Sequence, residues 1–172
     1  MTVSSVVDTQ RMLDTATSFF LAGERCSPDL KFGPYGVHSV DAPRIVVYAF
    51  AVEIALKLLH YISTNTQKRG HSLKVLFDEL PDQVKAQLKY LEGCVGEIDR
   101  YFESWRYPFE HDFLVGDNDN PRRAFIECYR EIRSSKPNLM SSYEKNWGSF
   151  DPDWDWAWPE LELKQIEKNL LP

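Results

Sequence analysis

Eighteen consecutive residues, Ile45 to Ile62, are almost entirely apolar, and Glu53, Lys57 and His60 interrupt them. A run of that length is nearly long enough to cross a bilayer, but a charged side chain near the centre of a membrane helix costs about 2.5–3.5 kcal/mol. Glu53 and Lys57 both fall there, so a helix buried within protein is the better account and no membrane association is expected. A helix that is apolar around most of its circumference must be wrapped by other helices. The segment is therefore expected to stand at the centre of its domain, capped by Asp41, with Pro43 in its first turn and an end near Ser63.

The polar residues in this helix are not scattered. Glu53, Lys57 and His60 are spaced i, i+4 and i+7, which places all three in a narrow sector. Burying charge is costly unless it is paired. Two readings stay open: a Glu53–Lys57 ion pair that fixes helix register, or a polar stripe that lines a site.

The remaining segments are amphipathic. Asp8 is placed to cap a first helix with Met12, Ala16, Phe19 and Phe20 on one face, ending before Pro28. Pro28, Gly33, Pro34 and Gly36 mark Ser27 to Val40 as a long loop. After a polar turn from Thr64 to Gly70, a short helix carries Leu73, Leu76 and Phe77 and breaks at Pro81. The pattern then predicts a helix from Asp82 to about Leu91 ended by Gly93, and another from near Glu97 carrying Ile98, Tyr101, Phe102, Trp105 and Phe109. Gly116 to Pro121 reads as a turn. Asn120 and Pro121 open a helix with Phe125, Tyr129 and Ile132 inward, ending before Pro137. The expected fold class is all-α, a helical bundle of five or more helices.

Residues 137–172 change character. Trp147, Trp154, Trp156 and Trp158 crowd together with Asp151, Asp153 and Asp155, and from Lys145 onward six acids stand against three lysines. Leu163, Ile166 and Leu170 predict a short closing helix. Clustered tryptophans can anchor a partner, but an exposed patch of that size invites aggregation, so this acidic, Trp-rich extension is expected to pack on the same domain. The domain organisation expected is a bundle over 8–136 followed by the extension over 137–172.

At 172 residues and 43% hydrophobic content, the chain can bury one sizeable core. The net charge of −6 argues against a broad electrostatic footprint for nucleic acid, so any RNA contact has to be local. Cys26, Cys94 and Cys128 are widely spaced with no C-x-x-C, and Met1 to Asp8 lacks the basic and apolar regions of a secretory signal. A cytoplasmic location is expected. His38, His60, His71 and His111 form no H-x-x-x-H pair, there is no glycine-rich phosphate loop, and neither a metal nor an organic cofactor is expected. Asp117 to Asn120 resembles the start of a calcium loop, yet Pro121 takes a ligand position and the distal Glu is missing.

Arg106 is followed by His111 in the pattern R-x4-H. Arginine clamps phosphate through a planar fork, and histidine titrates near neutrality, so the two are candidates for binding a phosphate and exchanging a proton beside it. Against this, Asp99, Glu103 and Glu110 stand at i−7, i−3 and i+4 from Arg106, in reach to neutralise it. On a straight helix His111 would also point about 140° away. Pro108 between them can kink or end that helix.

Ala49 to Lys57 (AFAVEIALK), Gly70 to Phe77 (GHSLKVLF) and Trp105 to Glu110 (WRYPFE), in that order, resemble segments of the HEPN family over roughly Asp8 to Arg133. The resemblance implies an all-α, up-and-down bundle that forms homodimers. It also implies membership of a family rich in metal-independent endoribonucleases of toxin–antitoxin, defence and RNA-processing systems. The family's R-x4-6-H motif falls on Arg106 and His111 as catalytic residues, and its E-x3-K pattern on Glu53 and Lys57. His60, Tyr107 and Glu110 are then supporting or site-lining residues. The sequence departs from the active pattern where Tyr107 and Pro108 follow the arginine, a position that is small and polar in the nucleases. Related non-catalytic members are interaction or nucleotide-binding modules, some working beside a nucleotidyltransferase, so RNA, an antitoxin and a nucleotidyltransferase are the partners implied.

Overall fold

A computed structural model describes residues 7–26, 41–106 and 120–147, with the backbone alone at 41–43, 101, 104–106 and 146–147. Every regular element among these residues is helical. The helices are α1 (Thr9–Arg25), α2 (Asp41–Thr64), α3 (Leu73–Asp78), α4 (Asp82–Lys85), α5 (Lys89–Arg106), α6 (Asn120–Ser135) and α7 (Ser142–Trp147).

α2 is the axis of the fold. It packs against α1, α6, α5 and α3, and Tyr48, Ala51, Val52, Ala55, Leu58 and Leu59 are buried on different sides of it. The stretch Arg44–Thr64 is long and apolar enough to cross a membrane, and most of it is buried inside this fold. Aromatic contacts tie the neighbours to it: Phe19 of α1 stacks on Phe50, and Phe102 of α5 meets Phe50 edge-on at 4.9 Å. On another side, Phe20 of α1 stacks on Phe125 of α6 at 4.7 Å. Gly23 lets α1 close on α2, since a Cβ there would stand 2.4 Å from the Tyr48 ring.

The ends of α1, α2 and α6 fall within a residue or two of where the sequence places them. The Asp8 carboxylate accepts the Arg11 N–H at 2.9 Å, and α1 ends at Arg25, before Pro28. α2 runs one residue past Ser63, and Asn65 follows it with φ of 55°, a left-handed residue that stops the helix.

The middle of the chain departs from expectation. Asp82 starts only a four-residue helix, and α5 begins at Lys89 and continues through Gly93 and Gly96 rather than restarting near Glu97. Both glycines face solvent with open space around the Cα, so they cost α5 propensity but break no packing. A distant residue fixes the start: the Glu127 carboxylate of α6 accepts the N–H groups of Tyr90 and Leu91 at 3.0 and 2.8 Å, capping the first turn of α5.

Apolar periodicity does not predict α7. Its signal is the S-x-x-E spacing of Ser141 and Glu144, which cap one another's backbone N–H at 3.2 Å. The Asp14 carboxylate of α1 accepts from Ser142 N and Oγ, and Gln10 reaches the Met140 carbonyl, which ties residues 140–142 to the first helix. The tryptophan cluster beyond Trp147 and the closing helix expected at Leu163 to Leu170 lie outside the described residues, as do the loop from Ser27 to Val40 and most of the turn before Pro121.

Candidate functional site

Glu53 is 4% exposed on α2, and Lys57, one turn further on, donates from Nζ to its Oε1 at 2.6 Å. The pair spans the boundary between core and surface, because the Lys57 side chain retains 18% exposure against 6% for the glutamate. Beside Lys57 a groove of about 410 Å³ runs between α1 and α2, bordered by Asp8, Arg11, Thr15 and Ile54.

The same glutamate oxygen holds a second group. His71 Nδ1 lies 3.0 Å from Glu53 Oε1. Nδ1 is placed to donate to this carboxylate, and in a neutral ring that does so Nε2 is the acceptor. The His71 side chain is 63% exposed, so a buried carboxylate orients an open imidazole. The turn that delivers it needs glycine at position 70, where φ is +98°, a conformation that strains any side-chain-bearing residue. Glu53 Oε2 is buried and has no hydrogen-bond partner among the described residues.

Asp99 of α5 anchors the segment immediately after His71. Its Oδ1 accepts the Leu73 N–H at 2.7 Å, and its Oδ2 accepts the Ser72 hydroxyl at 2.7 Å and the Lys74 N–H at 3.3 Å. Ser72 is the N-cap of α3. Asp99 therefore acts across helices on the α3 N-terminus, rather than only along its own helix toward Arg106 as the sequence spacing offered.

His60 belongs to the core. It is wholly buried, and its Nε2–H donates to the Leu76 carbonyl of α3 at 2.8 Å, while Nδ1 has no hydrogen-bond partner among the described residues. Burial pushes its pKa below the ordinary histidine value, against the opposing pull of the Leu76 carbonyl. It shares a sector with Glu53 and Lys57 but joins α2 to α3 instead of lining an opening.

Arg106 is the last residue of α5, seven residues or about 10 Å along the helix from Asp99. Tyr107, Glu110 and His111 lie outside the described residues. Comparison with family models, curated proteins and solved structures finds no match to this chain. The functional reading therefore rests on the residues themselves.

Two polar groupings were invisible to sequence reasoning. One is the attachment of His71 to Glu53, whose only sequence trace is a Gly70-His71-Ser72 turn before α3. The other joins α1, α2 and α6, where Glu24 accepts from Arg122 Nε at 2.8 Å and Nη2 at 3.3 Å and from the Tyr48 hydroxyl. Arg44 Nε also reaches the Tyr48 oxygen at 3.3 Å. Burial, reinforced by the Glu24 carboxylate, holds the Tyr48 phenol far above its usual titration range, so it remains a neutral donor.

Proposed function

We propose that this chain is a HEPN-type, up-and-down helical bundle that works as a homodimer. In this reading it cleaves single-stranded RNA without a metal ion, as a cytoplasmic toxin–antitoxin or defence endoribonuclease. Arg106 holds the scissile phosphate, His111 transfers a proton, and Tyr107 and Glu110 line the site. The observation that carries the reading is the engagement of Asp99. Its two carboxylate oxygens serve the α3 N-terminus, so one of the three carboxylates spaced toward Arg106 is already engaged elsewhere. The chemistry asked of Arg106 and His111 is charge stabilisation at phosphorus and proton transfer beside it.

A specific observation favours a second reading, a non-catalytic interaction or nucleotide-binding module acting with an antitoxin or a nucleotidyltransferase. Glu53 and Lys57 already satisfy one another, as a purely structural pair would.

Cleavage of varied single-stranded RNAs in the presence of a chelator separates the two. The nuclease reading expects the wild type to cut and His111→Ala to lose on the order of 10²–10⁴-fold in rate while keeping its helical spectrum. Arg106→Ala is expected to fall in parallel. A wild type that binds RNA or a partner but leaves RNA intact supports the module instead.

A further inference from the structure

We propose that the turn between α2 and α3, with the groove beside it, is a contact surface for the phosphodiester backbone of single-stranded nucleic acid, and that Arg11 and Arg69 are its principal contacts. The inference rests on the RNA reading above, whether the RNA is cut or only held, and names a surface which that reading does not.

Charge along the chain points there first. Between Glu53 and Asp78 there is no acidic residue, while Lys57, Lys68, Arg69 and Lys74 all fall in that stretch, in a chain of net charge −6. The lysines are largely neutralised: Lys57 pairs with Glu53, Lys68 with Glu79 at 2.8 Å and Lys74 with Asp78. Arg69 in the turn and Arg11 on α1 are exposed, and neither side chain has a hydrogen-bond or ion-pair partner among the described residues. The acid that borders the groove, Asp8, caps α1.

Geometry makes these residues one surface. Gln67 borders the groove together with Arg11 and Lys57. Beyond it, past Gly70 at φ +98°, His71 returns to the Glu53 oxygen that also holds Lys57. The turn is thus fixed beside Lys57 at both Gln67 and His71, and Arg69 stands between them, at most about 7 Å of backbone from each. Arg11 borders the groove and Arg69 does not, so the two arginines do not face a single pocket. Cations placed in series suit an anion that repeats along a chain, and the planar fork of arginine takes two phosphate oxygens at once. None of the residues bordering the groove is aromatic, so bases have no stacking platform there and the contact is to the backbone, without regard to sequence. An acidic peptide also brings repeated negative charge, but peptides draw most of their affinity from a few buried anchors, which an open groove does not supply.

The test is the binding of labelled oligouridylate and oligothymidylate to the full chain, followed by fluorescence anisotropy in chelator over a range of salt. Both are expected to bind, with affinity falling as salt rises; a preference for oligouridylate marks RNA as the ligand, equal binding marks single strands of either kind, and either supports the surface. Each phosphate contact on a single strand contributes about 0.7 to the slope of log affinity against log salt, so the double variant Arg11→Gln, Arg69→Gln should flatten that slope by about 1.4 and weaken binding on the order of 10-fold at about 0.1 M salt. Its helical spectrum should be unchanged, since both side chains are exposed. Lys89→Gln, at an exposed position at the start of α5, should leave the slope nearly as it is. Absence of binding to either oligonucleotide overturns the proposal, as does a loss in Lys89→Gln equal to that in the double variant, or displacement by oligoglutamate of the same charge as effective as by the oligonucleotides. A double variant that binds and cuts RNA like the wild type overturns this surface and leaves Arg106 and His111 standing. A wild type that binds but cuts no RNA, with binding lost in the double variant, supports the surface and removes the nuclease reading.

Discussion

At Glu53, burial decides what its ion pair is worth. Exposed pairs contribute about 0.2–1 kcal/mol, whereas removing one partner of a buried pair strands the other charge at a cost of about 3 kcal/mol or more. Glu53 is 4% exposed and keeps only His71 if Lys57 is removed, so Lys57→Met should cost about 2–3 kcal/mol in urea unfolding, between these limits. A double-mutant cycle with Glu53→Gln should give a coupling above the exposed range, and zero coupling would refute the pair. His60 yields a prediction of opposite character. Its folded pKa lies below the ordinary 6.5, so the unfolded chain binds a proton that the fold resists. That contribution to stability is fully present above about pH 6.5 and is lost as pH falls below it toward the lowered folded value. His60→Gln retains an amide donor for the Leu76 carbonyl and should flatten this part of the stability profile; an unchanged acid slope would show that His60 does not set it.

At the scale of elements, α3 is too short to hold itself and depends on Asp99. Asp99→Ala removes acceptors from Ser72 and two backbone N–H groups, and should cost about 1–2 kcal/mol. Hydrogen exchange at Leu73 and Lys74 should accelerate first; uniform protection across α3 would contradict the cap. α1, α2 and α6 are legible in the sequence because the apolar spacing that defines each lies within its own segment. α5 was not, because Glu127, 36 residues past Leu91, sets its first turn, and because Gly93 looks like a helix end until the packing shows that it faces solvent. The same reason hid the candidate site's histidine. Glu53 and Lys57 are one helical turn apart and could be paired on paper, whereas His71 reaches Glu53 only through the Gly70 turn and the docking of α3 on α5.

For the molecule as a whole, a core wrapped around α2 fits one helical domain, and the net charge of −6 confines any RNA contact to local groups of cations such as Lys57 with Arg11. The proposed homodimer predicts a sedimentation mass twice the 20.0 kDa of the chain at micromolar concentration, and a mass of one chain would contradict it. The ribonuclease reading meets its most direct test in the ends of its products. Single-stranded RNA incubated with the purified chain in chelator should yield 2′,3′-cyclic phosphate and 5′-hydroxyl ends, by mass spectrometry, and His111→Ala should form them on the order of 10²–10⁴-fold more slowly. Intact RNA, or 3′-hydroxyl and 5′-phosphate ends, would contradict the account.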